Sequence, residues 1–265
     1  MRIALLLIFY NSGRELNRLV SSIPRGSIDI LIGVDGIYSF NYGKDGNLSG
    51  LSTDRSRDIL LDFGKKKDIE VHIEDCVCET QAIKRNRYLL LCEQFNVDCG
   101  IVTDSDEYFF YYYPPDHHWD MFKKCFKNVV DPKHNIYSIN ALREDGSSYS
   151  AIPRIWNKPS EVRYFRNSHY CFVNIKNGEY EKYKDYPYMY TQQSKGVIPG
   201  LILKHDHTLR NDLQMKMRKD YQGYNMRYES LVQQNVSHEN AHEIALKDPV
   251  TKIISKCECP RCYSL

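Results

Sequence analysis

The first hundred residues alternate short apolar runs with helix-length segments, and that alternation constrains the fold more than any other feature of the chain. Ile3 to Phe9 is a continuous apolar run, as expected of a central parallel strand covered on both faces. Tyr10-Asn11-Ser12-Gly13 breaks it. Glu15 to Ser22 follows at helical spacing through Leu16, Leu19 and Val20, with Ser12 as its expected cap and Pro24 beyond its end. Asp29 to Val34 reads as a second strand stopped by Asp35-Gly36, and residues 41 to 54, rich in Gly, Asn and Ser, as a loop. Arg55 to Phe63 reads as a helix closed by Gly64, and Ile69 to Ile73 as a third strand. Thr80 to Phe95 is helix-length, with Ala82, Ile83, Leu89, Leu90 and Cys92 expected inward. Gly100 to Thr103 is the fourth strand. Such alternation winds helices around a parallel sheet, and in such sheets ligands collect beyond the carboxyl ends of the strands. Asn11, Asp35, Asp75 and the pair Asp104/Asp106 all fall just past a predicted strand end.

The acidic pair is the strongest chemical signal. Asp104 and Asp106 are spaced i, i+2, which in extended backbone projects both from the same side. Two hard oxygen ligands at a strand end suit Mg²⁺ or Mn²⁺ shared with a phosphate, because such ions complete their shell with substrate oxygens and water. His205 and His207 follow a last apolar strand, Leu201 to Lys204, and either could add an imidazole nitrogen or be a surface histidine. His117-His118 carries a weak metal signal, since adjacent residues point different ways.

The second half is less regular and richer in aromatics. Six aromatic residues run from Tyr108 to Tyr113, either a sugar-stacking wall or packing. Trp119 to Phe126 reads as a helix. Asn135 to Leu142, Glu161 to Tyr164 and His169 to Ile175 read as strands. Leu209, Leu213, Met217, Tyr221, Tyr224 and Tyr228 form the packing stripe of a long helix.

At 265 residues and 42% hydrophobic content the chain suits one α/β domain with appendages. A net charge of +2 does not imply a large nucleic-acid footprint and does not exclude nucleic acid. No apolar run is long enough to span a bilayer, and Ile3 to Phe9 lacks the flanks of a signal peptide, so a cytoplasmic protein is expected. Nine cysteines, an odd number, argue against a complete disulfide framework. Cys257, Cys259 and Cys262 place three thiols within six residues. A closed structural zinc site wants four ligands, and Cys76, Cys78 or His242 could be the fourth; a frayed, reduced tail is the other reading.

The layout resembles the GT-A nucleotide-sugar glycosyltransferases, in particular the inverting family 2. The matching pieces are Phe9-Tyr10-Asn11, Val34-Asp35-Gly36, Lys84-Arg85-Asn86 before the acidic pair, Asp104-Ser105-Asp106, Pro153-Arg154-Ile155-Trp156 with Val162-Arg163-Tyr164, and Leu203-Lys204-His205 with Lys216 and Arg218. The resemblance implies an α/β GT-A fold: a Rossmann-like, mostly parallel central sheet flanked by helices, an irregular acceptor-side half and C-terminal helices. It implies a nucleotide-sugar-binding half over 1–113, an acceptor-binding half over 114–235 and a Cys-rich helical extension over 236–265. It implies a hexosyltransferase taking a UDP- or GDP-sugar. Tyr10, Asn11, Asp35, Lys84, Arg85 and Asp104 would then serve the nucleotide sugar, and Asp104, Asp106, His205 and His207 the metal. Lys84 and Arg85 also read as solvated helix residues, Asp35 as a turn acid and Asn11 as a cap.

Two departures stand out. An aspartate pair is common after the second strand in the family, where this chain has Asp35-Gly36. A His-Glu ends the acceptor hairpin in many relatives, where this chain has Ser168-His169-Tyr170. The general base is therefore open between Asp145, His169 and Glu144; a hairpin turn is the plain reading of the Glu144-Asp145-Gly146 stretch. A sugar-phosphate nucleotidyltransferase shares the fold but opens with a Gly-rich, Arg-containing loop unlike Tyr10-Asn11-Ser12-Gly13-Arg14-Glu15. A non-catalytic nucleotide-sugar-binding protein is the third possibility.

Overall fold

The structure, a computed structural model, describes residues 1–78, 80–131, 135–142, 149–164, 172–176, 179–180, 195–205, 212–234 and 236–247. Two compact units divide the chain: Met1–Ser39 with Asn47–Leu209, and Phe40–Gly46 with Arg210–Leu265.

The first unit is a mixed α/β body, consistent with the expected GT-A, Rossmann-like fold. Its strands are β1 (Ile3–Phe9), β2 (Ile30–Asp35), β3 (Glu70–Asp75), β4 (Cys99–Asp104), β5 (Glu107–Phe109), β6 (Ile136–Leu142), β7 (Tyr149–Asn157), β8 (Val162–Tyr164), β9 (Phe172–Lys176), β10 (Glu179–Tyr180) and β11 (Val197–His205). Eight of them form one sheet in the order β3-β2-β1-β4-β7-β6-β11-β5, and β10-β9-β8 form a small second sheet. The first four strands of the large sheet are mutually parallel. Then β7 enters antiparallel to both β4 and β6, β11 runs parallel to β6, and β5 closes the edge antiparallel to β11.

β1 is buried at every position, because each face of the parallel half is covered. Ile3, Leu5, Leu7 and Phe9 point to one side. There they meet Leu16, Leu19 and Val20 of α1 (Gly13–Ser21), Leu60 and Phe63 of α2 (Ser56–Lys67), and Trp119, Phe122 and Phe126 of α4 (Pro115–Val129) within one cluster. Ala4, Leu6 and Ile8 point to the other side, in a cluster with Ala82, Tyr88, Leu89 and Cys92 of α3 (Gln81–Gln94), with Trp156 and with Tyr164.

Three helix details differ from the sequence reading. Ser12 stands at the N-cap of α1 but does not cap it; its hydroxyl donates to the Tyr10 carbonyl, and Asp54 takes the Gly13 N–H instead at 2.8 Å. A residue from a distant loop thus satisfies the helix end. Helix α2 does not close at Gly64. It runs on to Lys67 and ends at Asp68 in the left-handed conformation. Gly64 serves packing: a Cβ there would sit 2.5 Å from the Val71 side chain and 2.8 Å from the Ile69 carbonyl. In α3, Ile83 and Leu90 face outward while Lys84 and Arg85 are buried.

On the far side, α4 crosses β11 at Gly200, whose φ is +112° and whose missing Cβ leaves room for the Phe122 N and His118 O atoms. His118 fixes that crossing, its Nδ1 2.7 Å from the Gly200 carbonyl and its Nε2 accepting from Tyr113 N–H at 3.2 Å. Both ring nitrogens are thus engaged by backbone groups.

In the second unit, α5 (Asp212–Gln233) precedes α6 (His238–Lys247). Of the predicted stripe, Met217, Tyr221 and Tyr224 are buried and Tyr228 is half-buried, Phe40 stacks on Tyr224 at 4.9 Å, and Leu209 and the Leu213 side chain lie outside what the structure describes. Among the described residues no helix is long and apolar enough to cross a membrane.

Candidate active site

The parallel half aligns its strand ends. Register pairs Phe9 with Asp35, Asp35 with Asp75 and Ile8 with Asp104, so three carboxylates terminate three strands at one edge. Each is held differently.

Asp35 is fully buried. It accepts from the Ser52 hydroxyl at 2.6 Å, from the Ser52 N–H at 3.2 Å and from Arg57 at 3.1 Å. The same Arg57 nitrogen reaches Asp75 at 2.5 Å. That bond to Asp75 leads in raising the guanidinium further above its ordinary value, with burial opposing. Asp35 thus organises the loop after β2. Asn11 does similar work: it sits at φ +46°, a region asparagine tolerates. Its side chain accepts from the N–H groups of Thr53 at 2.8 Å and Asp54 at 3.2 Å. The Tyr10 hydroxyl accepts from Asn47 at 3.0 Å.

Lys84 and Arg85 are not solvated. The Lys84 ammonium donates to the carbonyls of Phe9, at 2.8 Å, and Gly36, tying the ends of β1 and β2 together. Burial pushes its pKa down to about 8, partly offset by Cys78, Asp35 and Cys76. Arg85 donates to Asp104 at 2.6 Å and to the Tyr164 hydroxyl at 3.3 Å. Burial opposes its charge, yet Asp104 and its tyrosine neighbours hold it well above the ordinary range.

The two acids of the D-x-D pair are also held apart in role. Asp104 accepts from Arg85 and, at 2.9 Å, from Arg154. Arg154 also donates to Glu107 at 2.8 Å, and Glu107 in turn accepts the Asp104 N–H at 2.9 Å. Arg154 and Glu107 are both 2% exposed, so the ion pairs act in a low-dielectric interior where an unmatched charge is expensive. Asp106 instead lies 2.8 Å from Nε2 of His205, whose Nδ1 is 3.7 Å from Glu107. Burial disfavours the imidazolium, but the Asp106 and Glu107 carboxylates outweigh it and lift the His205 pKa to about 9. Strand β11 delivers His205 to this position by pairing with β5 in the register His205 to Glu107.

Asp106 and His205 stand side by side as an ion pair, and with the imidazole proton displaced they would offer one oxygen and one nitrogen donor. That set fits a divalent cation that draws its remaining ligands from phosphate and water. Among the described residues no group of three or more His, Cys, Asp or Glu side chains is placed to hold a metal. Asp104 is committed to two arginines.

Glu144, Asp145, His169, His207, Cys257, Cys259 and Cys262 lie outside the described residues. Four residues that build the site were missed from the sequence as such: Ser52, Arg57, Glu107 and Arg154. Glu107 follows the acidic pair directly and Arg154 lies within Pro153-Arg154-Ile155-Trp156, but nothing in the sequence gives either a role. Nothing local marks Ser52 or Arg57, which reach Asp35 only through the fold.

No protein-family model and no curated protein matches this chain. Among solved structures it is similar to that of S. aureus TarS 1-349 in complex with UDP, at 15% identity and TM-score 0.39, over 56% of this chain and 38% of that one. It is similar to GalNAc-T7 with UDP, GalNAc and Mn²⁺ at 12% identity and TM-score 0.48, over 92% of this chain and 54% of that one. It is also similar to 4-diphosphocytidyl-2C-methyl-D-erythritolsynthase from Anaerococcus prevotii at 13% identity and TM-score 0.34, over 59% of this chain and 70% of that one. The chain thus spans well under two thirds of the TarS length.

Proposed function

We propose that the chain is a glycosyltransferase that moves a sugar from a nucleoside diphosphate sugar to an acceptor hydroxyl, with inversion. The observation that carries this reading is the Asp106–His205 pair, 2.8 Å apart beyond the carboxyl end of β4. It joins a carboxylate and an imidazole at the edge where the aligned ends of β1, β2 and β3 gather Asn11, Asp35 and Asp75.

In this reading Asp106 and His205, with His207, are the residues that would hold Mn²⁺ or Mg²⁺, whose charge would offset that of the departing diphosphate. Arg85 and Arg154 fix the Asp104 carboxylate and so set the direction in which the Asp104–Asp106 turn presents Asp106. Lys84, by joining Phe9 and Gly36, holds level the floor formed by Tyr10, Asn11 and Asp35, where the nucleoside would lie. Asp145, His169 or Glu144 would take the proton from the acceptor hydroxyl. Residues 1–113 would then bind the donor and 114–235 the acceptor, with the extension over 236–265 carrying the candidate zinc thiols.

The experiment is titration calorimetry of the full chain with UDP, GDP and their hexose conjugates, with and without Mn²⁺. Metal-dependent heat with one nucleotide series, lost in Asp106→Asn at an unchanged melting midpoint, supports the reading. Equal heat with and without Mn²⁺ removes the metal from it, and no heat with any nucleotide ends it. A thermal response to a nucleoside triphosphate with a sugar phosphate instead would assign the chain to nucleotidyl transfer, because a ligand that binds the native state raises its midpoint by mass action.

A further inference from the structure

Beyond Asp75, the last residue of β3, the chain continues Cys76-Val77-Cys78. Neither cysteine is in a disulfide. Cys76 is partly exposed and Cys78 buried. The Cys78 thiol donates to the Thr80 carbonyl at 3.3 Å, and its one proton can turn instead to the neighbouring Cys76 sulfur when that is ionised. The hydrogen bond with Cys78, ahead of the opposing burial, brings the Cys76 thiol down to about 7, with Lys84 and Arg87 helping and Glu74 opposing. Burial pushes Cys92 and Cys99 up instead, which leaves them poor nucleophiles.

This dithiol is strapped to the segment that follows Asp35. The Cys76 N–H donates to the Asp35 carbonyl at 2.7 Å and the Ser39 N–H to the Cys78 carbonyl at 2.8 Å. Tyr38 forms a parallel bridge with Cys78. Gly36, at φ +145°, lies so close that a Cβ there would be 2.2 Å from the Cys76 carbonyl oxygen.

We propose that Cys76 and Cys78 form a thiol–disulfide exchange site, with Cys76 attacking and Cys78 resolving, whose oxidation strains the strap to Gly36–Ser39. With a glutathione-type disulfide as oxidant, the Cys76 thiolate attacks one sulfur and expels one thiolate, leaving a mixed disulfide. The Cys78 thiol then attacks the Cys76 sulfur, loses its proton and releases the second thiol. Two electrons pass to the oxidant, which is reduced to two thiols. Two positions apart in extended chain, Cα atoms stand roughly 6–7 Å from each other, at the upper edge of the roughly 4.4–6.8 Å that a disulfide spans. The bond formed is therefore strained and easily reduced, the property of labile rather than structural disulfides.

The test is exposure of the full chain to oxidised glutathione, quenching by alkylation, and mass mapping of the tryptic peptide from Asp68 to Lys84, which holds both cysteines and no others. The expected product is that peptide lighter by two hydrogens, restored by dithiothreitol. Cys78→Ser should stop at the glutathione adduct on Cys76, and Cys76→Ser should abolish the two-hydrogen loss. Amide exchange at Ser39 should quicken in the oxidised protein. An unmodified peptide, an adduct that persists in the wild-type chain, or a Cys78→Ser variant that takes no adduct would each overturn the exchange site. Unchanged exchange at Ser39 would overturn the coupling to the strap.

Discussion

Replacing Arg154 with methionine removes the cation shared by Asp104 and Glu107 while keeping most of the side-chain volume. Arg154 donates to Asp104 at 2.9 Å and to Glu107 at 2.8 Å, and its side chain and that of Glu107 are 2% and 1% exposed. Asp104 keeps Arg85 in the variant, while Glu107 loses its nearest cation and keeps the His205 imidazolium at 3.7 Å, so Glu107 carries most of the penalty. Breaking one side of a buried pair costs about 3–5 kcal/mol, most of it the penalty of the stranded charge. The structure therefore expects Arg154→Met to lower unfolding free energy by about 3–5 kcal/mol, measured by urea denaturation at neutral pH. Glu107→Gln removes the stranded charge yet can still accept the Asp104 N–H, as Glu107 does at 2.9 Å. Added to Arg154→Met it should restore roughly 1–3 kcal/mol, a coupling of the size that contacting residues show. If the two substitutions instead add to within about 0.5 kcal/mol, the Arg154–Glu107 pair does not act as a unit and the account of this interior is wrong.

Lys84 titrates at about 8 in the folded chain because of burial, against about 10.4 unfolded. Between those values the unfolded chain still binds the proton and the folded chain has shed it, so stability rises with pH by up to ~3 kcal/mol. The stability gap between wild type and Lys84→Met should therefore move in favour of wild type from pH 8 to 10.5, and a gap flat across that window would contradict it. Gly200→Ala must place a Cβ 2.5 Å from the Phe122 backbone at φ +112°, and should cost roughly 2–4 kcal/mol by thermal denaturation. Gly46→Ala, at φ +79° with nothing within 4 Å, should cost only about 1–2 kcal/mol; equal costs would show that crowding at the α4–β11 crossing is not what matters. Asn11→Ala should free the Thr53 and Asp54 amides that its side chain now satisfies, seen as faster hydrogen exchange there with little change elsewhere.

The parallel half was legible because its signals are local. A fully buried strand reads as an unbroken apolar run, and Ile3–Phe9 is one. Strand ends show as polar breaks, which located Asp35, Asp75 and Asp104 before any coordinates. Periodicity does not mark strand β7, since Pro153 and Arg154 interrupt its apolar run, and only the family resemblance places Pro153 to Trp156 in a hairpin. It tolerates them because its pairing with β6 shifts register between Tyr137 and Ser138, beside Pro153, a place where a missing N–H does least harm. Strand β5 is three residues long and buried among acids and aromatics, too short for periodicity to register.

The site was half legible for a related reason. Periodicity sorts residues by hydrophobicity, so it turned Ile83 and Leu90 inward on α3 and left Lys84 and Arg85 to water. The helix does the reverse at these positions, because Ala82, Tyr88, Leu89 and Cys92 meet the apolar core while Lys84 and Arg85 meet strand-end carbonyls and a carboxylate. Lys84 and Arg85 are adjacent, about 100° apart on the helix, and that angle lets one helix turn serve two places. Lys84 reaches the ends of β1 and β2, and Arg85 reaches Asp104 at the end of β4. A buried cation is tolerable only where anions or carbonyls already converge, so two neighbouring ones mark a polar convergence more firmly than either acid of the D-x-D pair alone. Exchanging the order of the two, as Lys84→Arg with Arg85→Lys, keeps composition and net charge. It should nonetheless destabilise the fold by more than about 2 kcal/mol in urea denaturation, because the bulkier guanidinium has no room between the Phe9 and Gly36 carbonyls and the ammonium cannot bridge Asp104 and Tyr164. A swapped chain as stable as wild type would mean that charge alone, and not the geometry of each group, holds this edge together.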